Sequence, residues 1–334
     1  MHNNNNFFDV SDMRDDMIDL REDGVRKGEW VGFQSLYENY SMKKGSFSIF
    51  FATPSQGKSE FIKEMVLNTA EFSGWKWVVC SPETGSPKEV FAEYASGYLR
   101  KSFIKVNEED NDKQLINCTD LEAERALNWM SEHIYVIDPG LCDMSVKGVY
   151  RELERLQREK GIKINGVVID PYTEMAEEDP GLPIHKSVSG DLNTIRKNSS
   201  HLDLHTIVSV HTSKIDRNFI RDGKDLWYYN PEPTTGQLSF GQMWGRKGFM
   251  MVSIWRTPFD VPPLAQANGY ERMQTQWNVQ KAKPKSVGKE GKGFLYYDVA
   301  TSRYYEKKRD YHGHVTKQFS YENPNKEVQQ KNLF

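Results

Sequence analysis

The residues Gly57-Lys58-Ser59 follow closely on the apolar run Phe47, Ile49, Phe50 and Phe51. The stretch Ala52 to Ser59 has the form A-x-x-x-x-G-K-S, a phosphate-binding loop with Ala52 in the place of its first glycine. Those residue types suit one chemistry. Backbone N–H groups of the loop and of a first helical turn can cradle phosphate oxygens, where the helix dipole also favours negative charge. Gly57 lets the backbone approach closely, the Lys58 ammonium can reach β- and γ-phosphates, and the Ser59 hydroxyl can sit on Mg²⁺. Ala52, Pro54, Ser55, Gln56, Gly57, Lys58 and Ser59 are therefore the candidate nucleotide cradle.

Three further residues could complete a reaction centre. Asp170 closes the apolar run Gly166-Val167-Val168-Ile169 and is placed to share the Mg²⁺ shell with Ser59. The other reading is a strand-end aspartate that caps a turn. Glu83 follows the run Trp77-Val78-Val79-Cys80 and can orient an attacking water as general base; a glutamate in such a loop can also simply face solvent. His211 ends Thr206-Ile207-Val208-Ser209-Val210 and can feel a γ-phosphate, although a histidine there is as readily a satisfied structural residue.

The elements that must position these groups follow from hydrophobic periodicity. Strands are expected near 47–51, 75–80, 134–137, 166–170 and 206–211, with helices after the phosphate loop at 61–72 and then at 87–103, 121–130, 146–160 and 184–202. Gly74 is a helix C-cap candidate. Apolar strands alternating with helices predict an α/β fold, a mostly parallel sheet covered on both faces. In such a sheet Lys58, Glu83, Asp170 and His211 all fall at the carboxyl edge, where ligands collect. Later strands are expected near 250–255 and 277–280, and a C-terminal β-hairpin at 294–306. Residues 1–28 form an N-terminal arm with a short helix between Asp9 and Glu22, a free arm or a subunit-docking helix. Residues 212–242 are expected to be a long loop, and 307–334 a polar, disordered tail.

Composition bounds the rest. The chain has 334 residues, 37% hydrophobic and 27% charged, enough for one large or two ordinary domains. A net charge of −3 excludes global basicity as a nucleic-acid signal, so any such contact must be local. The loop after His211 supplies a candidate patch in Lys214, Arg217, Arg221 and Lys224, with Trp227 and Tyr228 interleaved, a composition suited to a single strand. Three cysteines with no close pairing argue against a disulfide framework, and no apolar run is long enough to span a membrane.

Several motifs together resemble the RecA-like P-loop NTPase domain of the DnaB family of replicative helicases. They are Gly32-Phe33-Gln34-Ser35-Leu36, Ser55 to Ser59, Val79 to Glu83, Val168-Ile169-Asp170-Pro171-Tyr172, Val208 to Ser213 with Lys214, and Lys281-Ala282-Lys283 before Gly288 and Gly291. The hairpin Tyr297-Asp298-Val299-Ala300-Thr301-Ser302-Arg303-Tyr304 and the strand-end His211 are most similar to the branch of mitochondrial Twinkle and phage primase-helicases. The resemblance covers residues 30–306. It implies a hexameric ring that binds ATP and Mg²⁺ between neighbours, translocates on single-stranded DNA and unwinds the replication fork. It implies Glu83 as base, Asp170 as Walker B carboxylate and His211 as sensor. It further implies that Lys281 and Lys283 reach a neighbour's site, with Lys283 where the family has an arginine finger. A separate primase or loader is an expected partner, and a cytoplasmic, phage-encoded setting is expected. Two other classes fit the same motifs: a recombinase or signalling ATPase that does not unwind, and a degenerate nucleotide-binding assembly or loader module.

Overall fold

The computed structural model describes residues 9–25, 27–107, 115–178, 181–213, 215–241, 243–285 and 287–322. The chain enters through helix α1 (Arg14–Asp23), none of whose residues is buried, and a single turn α2 (Gln34–Tyr37). Strand β1 (Ser46–Ala52) leads through the phosphate loop into α3 (Lys58–Ser73), which ends on Gly74 in the left-handed conformation. There follow β2 (Trp77–Cys80), α4 (Pro87–Leu99), α5 (Asp120–His133), β3 (Ile134–Val136), α6 (Val146–Lys160), β4 (Gly166–Ile169), α7 (Ile184–His201) and β5 (His205–His211). The chain then forms β6 (Asn218–Asp222), β7 (Asp225–Tyr229), α8 (Met243–Lys247), β8 (Met250–Arg256) and α9 (Pro262–Asn268). It closes with β9 (Gln274–Ala282), β10 (Gly291–Asp298), β11 (Arg303–Arg309) and β12 (Val315–Phe319).

Apart from the β6–β7 pair, the strands join one sheet in the order β12-β11-β10-β9-β8-β1-β5-β4-β2-β3. From β8 to β3 all pairings are parallel, whereas β9 to β12 add antiparallel neighbours. Period-two alternation on β1 explains why its apolar residues run on without a polar face. Phe50 and Ala52 face one core with Phe61, Met65 and Val90, while Phe47, Ile49 and Phe51 face a second with Val149, Leu192 and Val210. Helices α3, α4 and α5 thus cover one face and α6, α7 and α8 the other, as the α/β expectation requires. Among the described residues no helix is long and apolar enough to cross a membrane.

Two expectations are corrected. Residues 218–229 are not loop but a β-hairpin, turned by Gly223 (φ +58°) and Lys224 between the paired Asp222 and Asp225. Nor is the polar C-terminal segment structureless from residue 307. Strand β11 runs on to Arg309, β12 pairs along it, and Phe319 packs on Tyr305 with ring centroids 5.4 Å apart. Tyr321 then stacks on Phe319 and lies beneath the Arg100 guanidinium. Residues 323–334 of the expected tail lie outside the described residues.

Candidate functional site

Register assembles the candidate residues before any side chain is considered. Ala52 at the end of β1 pairs with His211 at the end of β5, and Cys80 on β2 pairs with Ile169, the residue before Asp170. The strand order β1-β5-β4-β2 therefore sets the phosphate loop, His211, Asp170 and the segment leading to Glu83 side by side at one edge.

In the loop, Ser55 (φ +64°) and Gly57 (φ +81°) both take left-handed backbone conformations, which turn the chain into the first turn of α3. Gly57 is needed for space as well. A Cβ there would lie 3.2 Å from the Tyr304 hydroxyl and 3.3 Å from the Arg256 guanidinium. The Gln56 side-chain carbonyl accepts the Arg256 backbone N–H at 2.8 Å, and Tyr304 Oη donates to the Gly57 carbonyl at 3.5 Å.

Lys58 is buried. Its ammonium donates to the Ser209 hydroxyl on β5 and lies 3.5 Å from Asp170 Oδ1. Burial pushes the lysine below its ordinary range, opposed by the Asp170 carboxylate beside it. Ser59 and Asp170 line the same small cavity of about 30 Å³ with Ser81, Thr84 and Glu60. That space admits one water-sized guest, and a hydroxyl with a carboxylate is a hard-oxygen donor set suited to Mg²⁺. No group of three or more acidic, histidine or cysteine side chains that could hold a metal exists among the described residues. A cation here would thus depend on phosphate and water for its other ligands, as Mg²⁺ commonly does.

Glu83 follows a turn closed by the Ser81–Thr84 hydroxyl pair, and its Oε1 meets His211 Nε2 at 3.3 Å. Base and sensor candidates are therefore in direct contact. The other ring nitrogen of His211 is buried without a partner among the described residues.

Arg256 and Tyr304, which approach the loop from β8 and β11, carried no sequence motif for this role. The signal that could have found Arg256 is its place at the end of an apolar run that the sheet sets next to β1. Tyr304 belongs to a hairpin locked onto α3. Arg303 is fully buried and donates to Glu64 through Nε at 3.0 Å, to Glu71 and the Gly97 carbonyl through Nη1 at 3.0 Å each, and to Asn68 through Nη2. Tyr297 Oη donates to Glu60 at 2.9 Å, so one face of α3 reads the hairpin along its length.

The lysines of the other motif are elsewhere. β9 runs antiparallel to β8, so Lys281 pairs with Met251 near the start of β8, while Arg256 at the phosphate edge pairs with Thr275. Lys281 Nζ donates to the Gly245 carbonyl at 2.7 Å, which ties it to α8 of its own chain. Lys281 and Lys283 are thus not brought to the phosphate loop that precedes them. Of the basic residues proposed for nucleic acid, Arg217, Arg221 and Lys224 are exposed on or beside the β6–β7 hairpin; Lys214 lies outside the described residues.

No protein-family model matches the chain. Over 212 residues it is 27% identical to the Twinkle homolog protein, chloroplastic/mitochondrial, of Arabidopsis thaliana; the match covers 63% of this chain and 28% of that relative. The chain thus spans little more than a quarter of the relative's length. Among solved structures it is similar to a helicase-type ATPase domain (TM-score 0.67, 15% identity, 90% of this chain and 99% of that one). It is also similar to a DnaB-like replicative helicase studied with its primase interactions (TM-score 0.64, 15% identity, 90% and 67%). The chain has the RecA-like fold of DnaB-like helicase ATPase domains, and its sequence likeness to a Twinkle homologue lies in the same family that its motifs resemble.

Proposed function

We propose that this chain is the motor domain of a ring-forming replicative DNA helicase, which hydrolyses ATP to move along single-stranded DNA and displace the other strand. The observation that supports it most is the convergence of Lys58, Asp170, Glu83 and His211 on one sheet edge, with the β6–β7 hairpin emerging just after His211. Nucleotide phosphates would lie over residues 53–59 at the start of α3, with Lys58 turned from Asp170 toward them. Mg²⁺, held by Ser59 and within the shell of Asp170, would neutralise charge on the phosphates. Glu83 takes the proton of the attacking water. His211, in contact with Glu83, links that base to the chain that leads into the hairpin.

Lys281 and Lys283 act in trans in this reading, because their own strand carries them away from their own phosphate loop. With Lys281 tied to α8, Lys283 is the charge offered to a neighbour, as a point charge rather than the planar fork of an arginine. α1, with no buried residue, is the arm available for docking on that neighbour.

The test is ATP turnover with and without single-stranded DNA. DNA should stimulate it, Lys58→Ala should abolish it, and Glu83→Gln should lower it about 10²–10⁴-fold while nucleotide still binds. Equal rates with and without DNA would refute the reading. Mixing Lys283→Ala with Lys58→Ala subunits should restore composite sites; mixed assemblies without activity would remove Lys283 from the trans role.

A further inference from the structure

The two faces of the β6–β7 hairpin differ in chemistry. Alternation puts Phe219, Arg221, Leu226 and Tyr228 on one face and Ile220, Asp222, Asp225, Trp227 and Tyr229 on the other. The second face holds both acids, its Ile220, Trp227 and Tyr229 are partly buried, and the hairpin lies against α9. Tyr229 is near enough to Tyr270, just beyond α9, to add to the rise that burial gives that phenol's pKa. The first face is open. Phe219 is 62% and Tyr228 54% exposed, they are direct cross-strand partners, and their ring centroids are 6.1 Å apart. Its one charge is Arg221, which makes no ion pair among the described residues.

An exposed apolar face of this kind is uncommon on a chain that needs to cover it only with itself. The base of the hairpin is also held firmly. Trp255 Nε1 donates to the Asn230 carbonyl at 2.9 Å, and Asn278 Nδ2 and the Ser253 hydroxyl both donate to Glu232. The bridge Thr212–Leu238 closes the segment next to His211. The platform is thus aromatic, positively charged, free of acids and rigidly mounted.

We propose that Phe219 and Tyr228 form a base-stacking platform for single-stranded nucleic acid, with Arg221 on the adjacent phosphate. This rests on the motor reading above and narrows it. The hairpin grips bases as well as backbone, and Trp227 is not part of the grip because it faces the body. Stacking on an aromatic ring is sequence-tolerant because every base has a π-face, so the platform takes any unpaired base.

The experiment compares a thymidine homo-oligomer with an abasic oligomer of equal length by fluorescence anisotropy over a salt series. The wild-type chain should bind the base-bearing strand more tightly. Phe219→Ala and Tyr228→Ala should each weaken that binding at least about fivefold, leaving abasic binding and the salt slope unchanged. Arg221→Ala should instead reduce the salt slope by about 0.7 on both strands. Phe219→Leu and Tyr228→Phe serve as fold-preserving controls, of which Tyr228→Phe should retain the preference. If wild type binds neither oligomer, the motor reading itself fails. If it binds both equally, or if the alanine variants weaken both strands alike, the stacking platform is refuted while the motor reading stands. If the variants change sedimentation rather than base dependence, the face is a contact between copies and the proposal is overturned.

Discussion

Two hairpins of this chain use the same residue types in opposite ways. β10–β11 carries Arg303 among Tyr296, Tyr297, Tyr304 and Tyr305, and β6–β7 carries Arg221 beside Phe219 and Tyr228. Arg303 is 0% exposed and satisfied by Glu64, Glu71, Asn68 and a backbone carbonyl, whereas Arg221 stands in solvent without an ion pair among the described residues. The first hairpin spends its chemistry inside the chain, bracing the phosphate loop through Tyr304. The second leaves its chemistry available to another molecule. Residue type alone does not separate a brace from a binding surface; the number of partners already met inside the chain does.

That contrast can be broken experimentally. The largest effect belongs to Arg303→Met, which leaves the Glu64 carboxylate buried without its cation and should cost about 3–5 kcal/mol in urea unfolding. An unchanged midpoint would mean that the buried pair does not brace α3. A control comes from the opposite edge of the same sheet, where His205 is buried with Ser48 Oγ at 2.9 Å and the Lys43 carbonyl at 2.9 Å. The carbonyl can only accept, so Nδ1 carries the proton and Nε2 accepts from Ser48. Burial lowers the His205 pKa from 6.5 to about 4, the Lys43 carbonyl opposing it. The unfolded chain takes up this proton first as pH falls below 6.5, so stability is whole above that pH and declines toward pH 4. The decline should reach about 3 kcal/mol at most, and His205→Gln should flatten it in unfolding curves compared pH by pH.

Smaller changes sharpen the same comparison. Tyr304→Phe removes one long hydrogen bond to the Gly57 carbonyl and should cost about 1 kcal/mol, with weaker nucleotide binding measured by calorimetry. A stability loss without any change in nucleotide affinity would confine Tyr304 to packing. Phe219→Ala and Tyr228→Ala should move the unfolding midpoint least of all, within about 0.5 kcal/mol of wild type. A loss as large as that of Arg303→Met would show that the second hairpin also serves the interior.

The parallel half of the sheet was legible in the sequence because its strands are buried on both faces and read as continuous apolar runs. Helix 146–160 was legible to the residue, since its apolar stripe is sharply separated from its charges. Lys58, Asp170, Glu83 and His211 were legible because each stands just beyond or at the end of such a run, and direction along a parallel sheet fixes which end. The β6–β7 hairpin was obscured by its polar composition, although Asp222-Gly223 was a turn signal within it. Attention to basic residues there passed over Phe219 and kept Trp227, and only the pairing register separates the two faces. Arg256 and Tyr304 reach the loop across 200 and 247 positions of chain, a distance over which no local pattern carries information.

The bond between Arg303 and Glu64 also sets a clock on synthesis. The two residues are 239 positions apart, and a ribosome adding roughly 5–20 residues per second needs about 12–48 seconds to cover that interval. Throughout it, the helix behind the phosphate loop carries an acid destined for burial whose cation has not yet been made. A nascent chain halted before residue 303 therefore has the loop and the parallel strands but no brace for α3. Competence to bind nucleotide arrives late in translation, nearly together with the end of the chain.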